Sequence, residues 1–204
     1  MNVETFELLR KLKNYPVFTV DTVCSIKEKN AAYTRVYLNR LASRGLIRRI
    51  QRGLFTIHDD PIIIATHIIW PSYVSLWYAL RYHDLTEQIP NEISVLTTSR
   101  RNSKQIDFNG VSITFSTIAT SYLFGYSRVN ISGFEVFMAD PEKAIVDSVA
   151  LRKISLTEIF SIVSSQIDCH SNLSLIMSRK PVILLPQKGL DGCLTGSEGM
   201  NPKN

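Results

Sequence analysis

Apolar residues recur at helical spacing from the first turn of the chain. Phe6, Leu9 and Leu12, with Leu8, predict a short amphipathic helix over residues 3–13. Asn14-Tyr15-Pro16 ends it, because the residue before a proline avoids helical backbone. Thr19 is placed to cap a second helix reaching about Lys29. Asn30 caps a third that runs to Arg44, and Gly45 stands where a helix C-cap glycine belongs. Two short strand-like runs follow, Leu46–Ile50 and Leu54–Ile57, with Gln51-Arg52-Gly53 as the turn between them. Three helices and then a hairpin is the order of a winged helix-turn-helix.

The pattern then changes. Asp59-Asp60-Pro61 marks a joint, with Asp60 as cap and Pro61 in the first turn of a helix, Ile62–Ile69, that is apolar nearly all round. Ser72 is expected to cap a helix from Tyr73 to about Tyr82, carrying Leu76, Trp77 and Leu80. Strands are predicted at Glu92–Thr98, Val111–Phe115 and Phe134–Met138, the second after a turn at Asp107–Gly110. Asp140-Pro141-Glu142-Lys143 opens a further helix, and another is predicted over Thr157–Ile167. Pro181, Pro186, Gly189, Gly192, Gly196, Gly199 and Pro202 crowd the end, so residues 181–204 are expected to form a loose tail. The fold class is therefore α+β: a winged helix-turn-helix over 1–58, a mixed α/β second domain over 59–180, and the tail.

Charge sharpens this division. Residues 1–58 hold 11 Lys and Arg against 4 Asp and Glu, a net +7, while residues 59–204 hold 12 against 14, a net −2. Residues 30–57 carry six arginines and no acid. Arginine, with its planar fork of donors, suits phosphate and guanine better than lysine does. Residues 1–58 are accordingly expected to bind duplex DNA by themselves, and 59–180 to hold an independent core. The longest apolar run, Ile62–Trp70, is about half of what a membrane span requires. No signal-peptide pattern opens the chain, and three scattered cysteines make no disulfide framework, so the expected location is the cytoplasm.

Residues turn by about 100° along a helix, which puts Tyr33, Tyr37, Arg40 and Arg44 on one stripe, beside an apolar side made by Leu38 and Leu41. A buried side for placement and a stripe of long donors is what a recognition helix needs. Arg48, Arg49 and Arg52 crowd the hairpin tip, where mutual repulsion is costly unless an anion offsets it, as phosphates or a minor groove would. Enzymatic chemistry has no comparable signal. There is no phosphate-binding glycine loop at a strand-to-helix turn and no G-x-S-x-G elbow. His58, His67, His83 and His170 lack metal-ligand spacing, and Cys169-His170 is an isolated pair. No catalytic, cofactor or metal site is expected.

Residues Arg40-Leu41-Ala42-Ser43-Arg44-Gly45-Leu46-Ile47-Arg48-Arg49-Ile50-Gln51-Arg52-Gly53-Leu54-Phe55 resemble the helix-to-wing segment of AbiEi-like abortive-infection antitoxins, the DNA-binding halves of type IV toxin–antitoxin pairs. Three later segments are also similar. They are Asp60-Pro61 with its apolar helix, Pro71–Leu80 with His83–Gln88, and Asp140-Pro141-Glu142-Lys143-Ala144-Ile145-Val146-Asp147, so that the resemblance spans roughly residues 15–155. It implies that the winged domain binds operator repeats in duplex DNA through Tyr33, Tyr37, Arg40, Arg44, Arg48, Arg49 and Arg52 and represses its own operon. It also implies that the second domain counteracts a nucleotidyltransferase-like toxin encoded beside it, in defence against phage. It carries no catalytic role onto the later segments. The alternative is a winged-helix transcriptional regulator whose second domain binds a small-molecule effector.

Overall fold

The structure, a computed structural model, describes residues 3–100 and 105–164. The expected tail over 181–204 and the Cys169-His170 pair lie outside the described residues.

The first 58 residues fold as three helices and a small antiparallel sheet. Helix α1 (Val3–Leu12) is followed by strand β1 (Phe18–Thr19), α2 (Val20–Lys27), α3 (Ala31–Ser43), β2 (Arg48–Gln51) and β3 (Leu54–Thr56), with the strands in the order β1-β3-β2. Local chemistry sets the boundaries. Thr19 and Thr22 form a reciprocal capping box at α2, and Asn30 accepts the Tyr33 N–H at 2.9 Å to cap α3. The Gly45 N–H donates to Ala42 and the Leu46 N–H to Leu41, a Schellman closure that the left-handed Gly45 (φ 69°) permits. Leu8, Leu12, Phe18, Val23, Leu38, Leu41, Ile47 and Phe55 make the core of this part.

The second part is built on a mixed six-stranded sheet. Its elements are α4 (Pro61–Ala65), β4 (Ser72–Ser75), α5 (Leu76–Tyr82), β5 (Glu92–Thr97), β6 (Gln105–Phe108), β7 (Val111–Thr117), β8 (Tyr126–Ile131), β9 (Phe134–Ala139), α6 (Pro141–Ala150) and α7 (Leu156–Ser164). The strand order is β6-β7-β5-β4-β9-β8, with parallel pairing at β5–β7 and β4–β9. The protein is thus mixed α+β.

Several predicted elements change. The helix expected from Tyr73 begins three residues later, because Ser72–Ser75 is strand β4, buried throughout between β5 and β9. The Ser72 hydroxyl does not cap a helix but donates to the Ile69 carbonyl at 2.7 Å. The apolar helix after Asp60 is shorter than its composition implied and stops at Ala65; Asp60 does cap it, accepting the Ile62 N–H at 3.1 Å. Strands β6 and β8 have no counterpart among the predicted strands. Each closes a tight hairpin through two residues with positive φ, Asn109-Gly110 and Ser132-Gly133. Asp140 precedes its helix as expected, but its carboxylate accepts from Ser127 (3.0 Å) and makes no side-chain cap.

The β2–β3 hairpin belongs to both parts. Side chains alternate across a strand, so Phe55 faces the first core while Leu54 joins the larger one, as does Ile50. Strand β2 lies against β6, Asn109 donates to the Asp59 carbonyl at 2.6 Å, and the His58 ring meets Phe134 edge-on at 4.5 Å.

Candidate nucleic-acid interface

Helix α3 is positioned by its buried side. Leu38 and Leu41 are almost fully enclosed by the first core, and Thr34 is buried with its hydroxyl bonded to the Asn30 carbonyl at 3.0 Å. The opposite side faces solvent and carries Arg40 and Arg44 exposed. Tyr33, at 48% exposure, lies on that stripe with its ring stacked against Tyr37 at 6.1 Å.

Tyr37 is in a different position from its three neighbours on the stripe. It is half-buried, its hydroxyl hydrogen-bonds the Thr5 hydroxyl of α1 at 2.9 Å, and the Lys27 ammonium of α2 sits 4.1 Å above its ring. It therefore ties all three helices together. Lys27 is nearly enclosed and paired with Glu4 at 2.8 Å. Burial works against the Lys27 charge, but the paired Glu4 carboxylate and the nearby Tyr37 outweigh it and hold its pKa above the ordinary lysine value. The Lys27 contact in turn holds Glu4 below the usual carboxylate range. None of the three members of this clamp was legible as one, since Glu4, Lys27 and Tyr37 come from three different helices.

In the hairpin, Arg48, Arg49 and Arg52 are all exposed. Arg48 is ion-paired through Nε to Asp59, just beyond the acid-free stretch. Arg49 Nε reaches the Gln51 carbonyl at 3.4 Å, and Arg52 sits at the turn before Gly53 (φ 79°). The exposed arginines of α3 and of the hairpin lie in a stretch of chain with no acidic residue. An anion approaching Arg40, Arg44, Arg49 or Arg52 meets donors with no carboxylate from that stretch to displace.

The second part contains a buried polar cluster that joins two of the segments singled out in the sequence. Asp147 accepts from Lys143 (2.5 Å), Ser75 (2.8 Å) and Tyr73 (3.1 Å). The Lys143 ammonium lies 4.8 Å from the Phe124 ring. Lys143 and Asp147 are four apart on α6, while Tyr73 and Ser75 project from the same side of β4. Burial raises the Asp147 carboxyl above its usual range despite its three donors, and burial beside Asp147 raises the Tyr73 phenol far above its ordinary value. The cluster bolts α6 to the sheet. Helical capping, the role the sequence suggested for these segments, accounts for little of it.

Among the described residues no group of His, Cys, Asp and Glu is arranged to hold a metal, and no helix is long and apolar enough to cross a membrane. Residues 7–58 match a family described as a transcriptional regulator, the AbiEi antitoxin. The match bears out the resemblance carried by residues 40–55 and runs through all of α2, α3 and the hairpin. No curated protein matches the chain.

Proposed function

We propose that the protein is a DNA-binding antitoxin that represses its own toxin–antitoxin operon, with residues 1–58 acting as a winged helix-turn-helix. The observation that carries this reading is the exposed, acid-free set of arginines on α3 and the hairpin, within the segment that matches a family of antitoxin regulators. In this reading α3 enters the major groove, where Arg40, Arg44 and Tyr33 reach base edges and phosphates, and the hairpin lies along the backbone with Arg49 and Arg52. Arg48 joins once it exchanges Asp59 for a phosphate. Tyr37 supports the helix from behind. The second part, net acidic, counteracts a nucleotidyltransferase-like toxin encoded next to it.

The test is a mobility-shift titration of the full chain on DNA from its own promoter and on random duplex. Arg49→Ala with Arg52→Ala should weaken both equally and flatten the dependence on salt, by about 0.9 in log–log slope for each phosphate left without its arginine. Arg40→Ala should cost mainly discrimination, about 1–3 kcal/mol per base contact. An unchanged ratio between promoter and random DNA in Arg40→Ala would remove α3 as the reading element. Growth arrest by the neighbouring gene product that this chain leaves unrelieved would remove the antitoxin role.

A further inference from the structure

A cleft of about 240 Å³ opens between the start of α5, the start of β5 and the chain just after α6. Its apolar walls are Leu76, Trp77 and Pro90, and its polar walls include Glu92, Ser94 and Lys153. It has no part in DNA binding as proposed above, which uses none of these residues.

The floor is built by register. Ser94 on β5 stands opposite Ser75 on β4 and Thr114 on β7, and Glu92 stands opposite Ser112. Alternation puts these side chains on one side of the sheet. The Glu92 carboxylate accepts from the Ser94 hydroxyl at 2.9 Å and from the Thr114 hydroxyl, so its direction is fixed. Beside it the Ser112 hydroxyl is buried and, among the described residues, has no hydrogen-bond partner. Leu76, itself buried, holds left-handed backbone (φ 60°) where the chain turns from β4 into α5. That is a strained conformation for leucine, of the kind kept where a wall must sit in one place.

Two opposite charges line the cleft. Glu92 and Lys153 line one small space, yet among the described residues Lys153 makes no ion pair. An anchored carboxylate and an unpaired ammonium on separate walls are jointly complementary to a molecule carrying an ammonium and a carboxylate of its own. The volume falls below the roughly 300–1,000 Å³ of drug-sized sites, which suits a molecule the size of an amino acid. Leu76, Trp77 and Pro90 favour an apolar side chain. We propose that this cleft binds a small zwitterion, a free amino acid with an uncharged apolar side chain, its ammonium on Glu92 and its carboxylate toward Lys153.

The experiment is calorimetric titration of the full chain with each of the apolar amino acids, repeated with the carboxamide and the N-acetyl derivative of the tightest binder. Saturable binding is expected for at least one of them. Loss of either ligand charge should weaken it about tenfold or more, the scale of one charge-assisted contact. Lys153→Met, at an exposed position, should weaken the amino acid to the level of its carboxamide and leave the carboxamide unchanged. Glu92→Gln should do the same for the N-acetyl derivative, with a melting curve to confirm that the sheet is intact. The proposal is overturned if no apolar amino acid saturates the protein in the millimolar range, or if binding survives unchanged in Lys153→Met. DNA binding is not a readout here, so failure of this proposal and failure of the repressor reading stay separate.

Discussion

Cutting the chain at residue 58 should unfold the fragment that carries the arginines. The break falls one residue before Asp59, where a domain boundary reads naturally from the sequence. Ile50 and Leu54, each 9% exposed, are buried in the core of the second part rather than the first. Burying one such side chain stabilises by about 1.5–3 kcal/mol, so the fragment forfeits about 3–6 kcal/mol. A chain of 58 residues has a total stability of roughly 3–9 kcal/mol. The loss is therefore of the same order as the whole. Removing Asp59 from Arg48 adds at most about 1 kcal/mol, since the pair is exposed, and does not decide the outcome. The assay is circular dichroism during heating of residues 1–58 and of residues 1–164, with a mobility shift on each. The shorter fragment should melt without a cooperative transition or far below the longer one, and should bind DNA more weakly. If it melted cooperatively at the temperature of the longer fragment, the hairpin would not depend on the second core and the argument from Ile50 and Leu54 would be wrong.

Three further outcomes follow from the side-chain contacts. Tyr37→Phe removes the hydroxyl bonded to Thr5 while keeping the ring under Lys27, and should lower stability by about 0.5–1.5 kcal/mol in denaturant unfolding without changing the salt dependence of DNA binding. Lys143→Met leaves the Asp147 carboxylate buried without its cation and should cost about 3–5 kcal/mol; adding Asp147→Leu should recover much of that, because an apolar pair leaves no buried charge behind. Burial holds the His67 imidazole below the ordinary histidine pKa, against the bond to the Ile63 carbonyl at 2.9 Å. The unfolded chain then binds this proton more readily than the native one, so the His67 contribution is present above the ordinary histidine pKa and is lost as pH falls toward the native value. In His67→Gln, urea midpoints compared on either side of pH 6 should show a shallower acid-side decline than in the unaltered protein.

What could be read in the sequence was whatever short-range chemistry decides. The capping residues Thr19 and Asn30, the Gly45 closure and the turn at Gly53 each act within a few residues, and the first three helices and the hairpin stand close to where those signals put them. The second part is governed by contacts between distant segments. Ser72-Tyr73-Val74-Ser75 has a capping serine at its front and a helix behind it, so local rules extended the helix forward; what makes it a strand is pairing with Glu92–Thr97 on one side and with Phe134–Ala139 on the other. Strands β6 and β8 are edges with polar residues at every other position or oftener, and such segments give a weak apolar signal until a partner strand is known. The interface follows the same division. The arginines were visible because they lie close together in the chain, and their exposure is as the helical stripe required. The partners of these side chains were not visible: Thr5 and Lys27 hold Tyr37 between the three helices, and Asp59 holds Arg48. Lys143 and Asp147 stand in the sequence as an i, i+4 pair, a spacing that on most helices marks a solvated ion pair. Only the burial of α6 against Tyr73 and Ser75 converts that spacing into a structural bolt, and burial is a property of the fold rather than of the motif.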